Sequence, residues 1–270
     1  MDRPQLIASD VDGTLLSPLE KLERRTLDVI GRALAADVPF VLASGRPPRW
    51  IPPVARPAGL TGYAVCANGA VLYDVGADEI VSTHTLDPLM LNDIAVALRT
   101  ALPRCQLAAE RVGATAQVED TYSLIVEHGF HNPWGDSECL EASRAEVLGH
   151  PAVKLLVSAK GMRSAEMAEA ASAVLDDSVD VTYSTSLGMI EVSAHGITKA
   201  TGLADVAERL GVERKRTIAF GDMPNDTAML QWAGHGVAMA NGHPEVLAIA
   251  DEITAPNSEE GVAQVLERWF

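Results

Sequence analysis

The stretch Leu6-Ile7-Ala8-Ser9-Asp10-Val11-Asp12-Gly13-Thr14-Leu15-Leu16 constrains the chain more than any other, because a short apolar run delivers two aspartates straight into a glycine turn. Read as a strand over Leu6 to Val11, it sends Asp10 and Asp12 off on the same side of the backbone, since side chains alternate along a strand. Two carboxylates side by side repel each other, so a cation joins them or one keeps a proton. The same residues also make an ordinary Asp-Gly turn, and the stretch alone leaves both readings open.

The chain that follows has a β-α-β rhythm. Leu22, Thr26, Val29, Ile30, Ala33 and Leu34 recur at helical spacing, with Pro18 near the expected start, and a strand Phe40-Val41-Leu42-Ala43 then stops at Ser44-Gly45-Arg46-Pro47. Such a crossover makes the two strands parallel, which puts Asp10 and Ser44 along one sheet edge. A further strand, Tyr63-Ala64-Val65-Cys66-Ala67, ends at Asn68-Gly69, which reads as a turn or as a substrate-facing edge. Val71-Leu72-Tyr73 and Ile80-Val81-Ser82 flank Gly76 as a hairpin.

From about Leu86 the pattern changes. A helix carrying Leu91, Ile94, Leu98 and Leu102 precedes expected strands at Ser123–Val126, Lys154–Val157, Val179–Tyr183 and Met189–Val192, with a second helix carrying Met167, Ala170, Ala171 and Val174. His128, His131 and Trp134 sit in a loop that is either solvated or substrate-reading, and His195 falls in the connection back. The parallel rhythm then resumes: a helix with Leu203, Val206, Ala207 and Leu210 leads to Thr217-Ile218-Ala219-Phe220, which stops at Gly221-Asp222-Met223-Pro224-Asn225-Asp226. His235–Met239, Ile253 and a closing amphipathic segment at Val262, Leu266, Trp269 and Phe270 complete it. The expectation is an α/β protein: a Rossmann-like parallel-sheet core from residues 1–83 and 192–270, with an inserted α+β domain at 84–191.

Charge limits the partners. The 270 residues carry 37 acidic against 21 basic side chains, a formal charge of −16, so the surface repels nucleic acid and anionic membranes, and a phosphate-bearing ligand needs a locally positive site. Cys66, Cys105 and Cys139 lack metal-ligand spacing, and no apolar run approaches the roughly 18 residues of a membrane span, so the expectation is a cytoplasmic protein with reduced thiols.

Three strand ends therefore present Asp10 and Asp12, then Ser44, then Asp222 and Asp226, and ligands of open α/β sheets bind at the carboxyl ends of strands. Lys199, at a helix start, supplies the positive charge. Four acids and one lysine around a point are poor for stability but suit a hard cation such as Mg²⁺. Taken singly, Ser44 also reads as a turn cap, Lys199 as a solvated helix residue, Asp222 and Asp226 as turn and helix N-terminal acids, and Arg46 as a surface ion pair or a phosphate contact.

Asp10-Val11-Asp12-Gly13-Thr14, Ser44-Gly45-Arg46, Lys199 and Gly221-Asp222-x-x-Asn225-Asp226 together resemble, in order and rough spacing, the four motifs of the haloacid dehalogenase superfamily. The insertion is similar to the C2B cap of its Cof-type phosphatase branch, subfamily IIB. The resemblance implies a Mg²⁺-dependent phosphatase acting on small phosphorylated metabolites such as sugar phosphates. Asp10 would be the nucleophile and Asp12 the acid and base, with Ser44, Lys199 and Asn225 holding the phosphate. Asp10, Asp12 through its carbonyl, Asp222 and Asp226 would surround the metal, Asp226 and Asn225 either as ligands or as residues that orient them. An acid at Asp12 favours an alcohol leaving group, which needs a proton, over a halide, which does not. The alternatives are a phosphomutase that shares every core residue and, from another class, a phosphoacceptor switch of the receiver type. The substrate and the oligomeric state are left open.

Overall fold

The structure is a computed structural model that describes residues 2–116, 123–132 and 139–270. In chain order the first strands are β1 (Leu6–Ser9), β2 (Phe40–Ala43), β3 (Tyr63–Cys66), β4 (Val71–Asp74) and β5 (Glu79–Thr83). The middle of the chain supplies β6 (Gln106–Glu110), β7 (Leu124–Glu127), β8 (Cys139–Ala142), β9 (Lys154–Ser158), β10 (Val179–Thr182) and β11 (Met189–Ala194). The last are β12 (Thr217–Gly221), β13 (His235–Met239) and β14 (Glu252–Thr254). They form two sheets in two compact units, one built from residues up to Ser82 with Thr198–Phe270, the other from Thr83–Ile197.

The first unit holds an eight-stranded sheet in the order β14-β13-β12-β1-β2-β3-β4-β5. Every pairing from β14 to β3 is parallel, and β4 turns back antiparallel on β3. Both faces of the central strands β1, β2 and β12 are covered, which is why they read as apolar runs. Leu6, Ala8, Val41, Ala43, Ala219 and Ala238 pack against Leu203, Val206, Met229, Leu230 and Val246 from three helices. Ile7, Phe40, Leu42, Ile218 and Phe220 alternate with them and are equally buried, on the side where the helices Arg24–Ala35 and Gly261–Leu266 meet. Chain order reverses between β1, which is followed outward by β2 and β3, and β12, which is followed outward by β13 and β14. Such a reversal leaves a crevice beyond the carboxyl ends of the two strands, where ligands of doubly wound sheets bind.

The second unit is a six-stranded sheet, β10-β11-β9-β6-β7-β8, antiparallel except for β7 with β8. One face carries Leu107, Ala109, Leu155, Val157, Ile190 and Val192 against the helices Pro88–Ala101, Arg144–Leu148 and Ser164–Ser172. The other buries a Lys154–Glu191 ion pair at 2.7 Å, with Ser184 Oγ donating to the same carboxylate.

Several expectations shift. The helix begins at Arg24, six residues beyond Pro18, so that proline belongs to the preceding loop. The return to the first unit comes at Thr198 and not at residue 192, because β11 runs through to Ala194 and Thr198 is the N-cap that starts the next helix. Strands β6 and β8 and the helix Arg144–Leu148 were not anticipated. His128 bonds Glu141 on the surface at 2.6 Å, while Trp134 lies outside the described residues. His195 sits against Asp180 at 3.1 Å, whose other oxygen accepts the Gly196 N–H. Among the described residues no helix is long and apolar enough to cross a membrane.

Candidate active site

Strand β1 ends at Ser9, earlier than the apolar run suggests, and the chain opens into one wide turn closed by Leu16 N–H on the Val11 carbonyl at 2.9 Å. Inside it Asp12 is extended and Gly13 has φ 80°. A Cβ at Gly13 would lie 2.3 Å from Asp222 Oδ2, so the glycine is required for its backbone conformation and for the approach of Asp222. Asn241 Nδ2 donates to the Gly13 carbonyl at 2.9 Å and pins the turn.

This turn corrects the expectation that Asp10 and Asp12 start out on one side. Because neither lies in a regular strand, alternation does not apply, and the carboxylates part. Asp10 is buried and accepts from Lys199 Nζ at 2.5 Å. The Asp12 side chain is 56% exposed and is gripped by Arg46, with Nε 2.8 Å from one oxygen and Nη2 2.6 Å from the other. Arg46 is thus an ion-pair partner of Asp12, in the forked geometry that only arginine offers.

Lys199 is the first residue of the helix Lys199–Leu210, after an N-cap in which the Thr198 hydroxyl accepts the Thr201 N–H. A cation at a helix N-terminus opposes the helix dipole, so this one needs anionic partners to stay charged. It has two. The wholly buried ammonium donates to Asp10 at 2.5 Å and to Asp226 Oδ1 at 2.7 Å. Asp226 Oδ2 in turn accepts the N–H groups of Asp222 and Met223, each at 2.9 Å, so both of its oxygens are committed to fixing the lysine and the turn after β12. Asp222 accepts the Thr14 hydroxyl at 2.7 Å, and its carbonyl accepts His243 N–H at 2.7 Å.

Ser44, buried at the end of β2, accepts the Arg46 N–H on its hydroxyl at 3.1 Å and the Asn68 N–H on its carbonyl at 3.0 Å. Asn225 Nδ2 donates to Asn68 Oδ1 at 3.0 Å, while its own Oδ1 is buried and without a partner among the described residues. The structure therefore brings Asp10, Lys199, Asp222 and Asp226 into one buried group, sets Asp12 with Arg46 outside it, and links Ser44 to Asn225 through Asn68. Sequence reasoning missed Thr14, Asn241 and the bridging role of Asn68. Thr14 stood inside the opening stretch, and a hydroxyl directly after Gly13 was the available signal.

Oxygens of Asp10, Asp222 and Asp226 lie within 4.8 Å of one another. Burial, opposed by Lys199 and reinforced by Asp226 and Asp222, holds the Asp10 carboxyl well above its ordinary pKa. Burial and the Asp226 charge push Asp222 up to about 7. Burial works against the Lys199 charge, yet Asp10 and Asp226 overcome it and raise the lysine. Three carboxylates and one ammonium leave two negative charges uncompensated in the interior, a balance that a divalent cation closes. The donor set agrees: Asp10 and Asp222 each keep an oxygen outside the hydrogen bonds described above, and a hard cation prefers such oxygens.

A family model for haloacid dehalogenase-like hydrolases matches residues 7–266. The 5-amino-6-(5-phospho-D-ribitylamino)uracil phosphatase YitU of Bacillus subtilis is 32% identical, over 99% of this chain and 98% of that protein. A haloacid dehalogenase-like hydrolase from Bacteroides thetaiotaomicron superposes with a TM-score of 0.77 at 26% identity, covering 99% of this chain and all of that one. A subclass IIB sugar phosphatase of the same superfamily shares the fold with a TM-score of 0.81 at 20% identity, over 98% of both chains. With the crevice at β1 and β12 lined as described, these likenesses place the chain: it belongs to the haloacid dehalogenase-like hydrolases, with the fold of subclass IIB.

Proposed function

We propose that the chain is a Mg²⁺-dependent phosphatase that releases inorganic phosphate from a small phosphorylated metabolite, such as a sugar phosphate, through an aspartyl-phosphate on Asp10. The observation that carries this reading is the buried Asp10–Lys199–Asp226 group beside Asp222, at the crevice where the sheet reverses its strand order.

Asp10 attacks phosphorus in line, forming a bond from its carboxylate oxygen while the bond to the alcohol oxygen breaks. Lys199 offsets the repulsion between that carboxylate and the phosphate dianion, and Asp226 holds Lys199 in place. The Ser44 hydroxyl and the Asn225 amide hold phosphoryl oxygens. Asp12 gives a proton to the departing alkoxide and then takes one from the water that attacks phosphorus and frees Asp10. Both Asp12 oxygens are engaged by Arg46 in this structure, so protonation of a leaving group requires that pairing to open. Mg²⁺, held by Asp10 and Asp222 with the Asp12 carbonyl, would supply positive charge against the transferring phosphoryl group. Asp226, with both oxygens occupied, orients rather than ligates.

The test is a phosphate-release screen over phosphorylated metabolites with and without Mg²⁺, including sugar phosphates and a phosphoribityl compound of the kind named for the Bacillus subtilis relative. Metal-dependent release from at least one small monoester is expected. Release only with a bisphosphorylated primer would instead indicate a mutase, and a stable phospho-Asp10 without release would indicate a switch.

A further inference from the structure

We propose that the turn Ala67-Asn68-Gly69 at the end of β3 positions the phosphate-holding groups, and that Asn68 does so through Asn225. The inference rests on the reading of Ser44, Lys199 and Asn225 as phosphate-holding residues. It begins from the backbone: three successive residues have positive φ, 49° at Ala67, 57° at Asn68 and 103° at Gly69. Asparagine and glycine tolerate this region, but alanine gains nothing from it, and an outlier kept inside a protein is over-determined by its surroundings. Ala67 and Asn68 are both buried.

Each residue of the turn meets a different segment of the site. Ala67 N–H donates to the Arg46 carbonyl at 2.9 Å and Asn68 N–H to the Ser44 carbonyl at 3.0 Å, which fixes the loop after β2. Gly69 lies so close to the N-cap of the Lys199 helix that a Cβ there would fall 2.0 Å from the Thr198 carbonyl oxygen. Asn68 Oδ1 accepts from Asn225 Nδ2 at 3.0 Å. A plain connection between β3 and β4 needs none of these contacts. Among the described residues this is the one hydrogen bond of the Asn225 side chain, so it aims the amide, engaging one N–H of Nδ2 and leaving the other as a donor. An amide fixed in that way presents its remaining N–H in one direction, the arrangement that an anion-holding donor requires.

Inorganic phosphate, the product, is the probe. Its inhibition constant is measured for the wild type, Asn68→Gly, Asn225→Ala and the double variant, together with kcat and KM. Glycine at position 68 keeps the left-handed backbone and removes only the amide. Asn225→Ala and Asn68→Gly are each expected to weaken phosphate about tenfold, the scale of one hydrogen bond to a charged group. KM should rise with kcat little changed, and the double variant should be no weaker than Asn225→Ala, because the two residues act in series. If Asn225→Ala leaves phosphate binding unchanged, the assignment of Asn225 falls and takes this inference with it. If Asn225→Ala weakens phosphate but Asn68→Gly does not, or if their effects multiply, the phosphate assignment stands and the inference is overturned. Asn68→Asp keeps the shape and the turn while setting a carboxylate against Asn225. Phosphate inhibition unchanged in that variant would overturn the inference even if the glycine variant did not fold.

Discussion

Replacing Lys199 by methionine keeps most of the side-chain volume and deletes the charge, leaving Asp10 and Asp226 buried and facing each other. Lys199 is 0% exposed and Asp226 0% exposed, so water cannot take over the lost role. Removing one partner of a buried ion pair costs about 3–5 kcal/mol, and with two carboxylates stranded the loss should reach the upper part of that range. Against a typical total stability of about 5–15 kcal/mol, that is a large share. Urea unfolding in the presence of a chelator measures it, and since three of the four tryptophans, Trp50, Trp232 and Trp269, belong to the first unit, tryptophan fluorescence in a Trp134→Phe background follows the part of the chain that matters. Adding Asp226→Asn to Lys199→Met removes one stranded charge and should recover a substantial part of the loss. Mg²⁺ should stabilise the wild type further, by about 2.7 kcal/mol at a hundredfold excess over its dissociation constant. A loss below about 1 kcal/mol for Lys199→Met, or a double variant no more stable than the single one, would refute the view of Lys199 as the counter-charge of a buried acidic group.

Asp12→Asn should lower kcat/KM for an alkyl phosphate by about 10²–10⁴-fold and affect a nitrophenyl phosphate much less, because a good leaving group needs no proton; equal losses on both substrates would remove the acid role. The metal-free protein should also lose stability as pH rises from about 4 to about 7. Asp222 is raised to about 7 by burial and Asp226, so across that window the folded state keeps a proton that the unfolded state has released, and stability falls with increasing pH. Thermal unfolding of the wild type and Asp222→Asn in chelator checks this. The variant should show a shallower decline, and parallel curves would contradict the assignment.

The centre of the parallel sheet was legible because β1, β2, β3 and β12 are largely buried on both faces and each is followed by a residue that breaks the apolar run: Asp10, Ser44, Asn68 and Asp222. The second unit was harder. Strand β6 contains Ala108, Ala109 and Glu110, which carry no β preference, and β8 at Cys139–Ala142 is a short, partly exposed edge. The helix Pro88–Ala101 was clearer, since Leu91, Ile94 and Leu98 fall on one buried face. At the site, residue types could be read one at a time, but their division of labour could not. That Arg46 pairs with Asp12, that Asp226 holds Lys199, and that Asn68 joins Ser44 to Asn225 are all contacts between residues far apart in the chain. Spacing along the sequence carries no record of them. The separation of Asp10 from Asp12 was hidden for a local reason: the wide turn at Val11–Leu15 interrupts the alternation that a longer strand would have kept.

The central claim is that phosphate passes through Asp10. Acid-quenching the protein within its first turnover on a phosphomonoester, with Mg²⁺ present, and then sequencing its peptides by mass spectrometry tests this directly. The account predicts the added mass of one phosphoryl group on Asp10, appearing and then decaying as free phosphate is released, and absent from Asp10→Asn, which releases none. Full phosphate release by Asp10→Asn, or a phosphoryl group carried by any other residue, would contradict it.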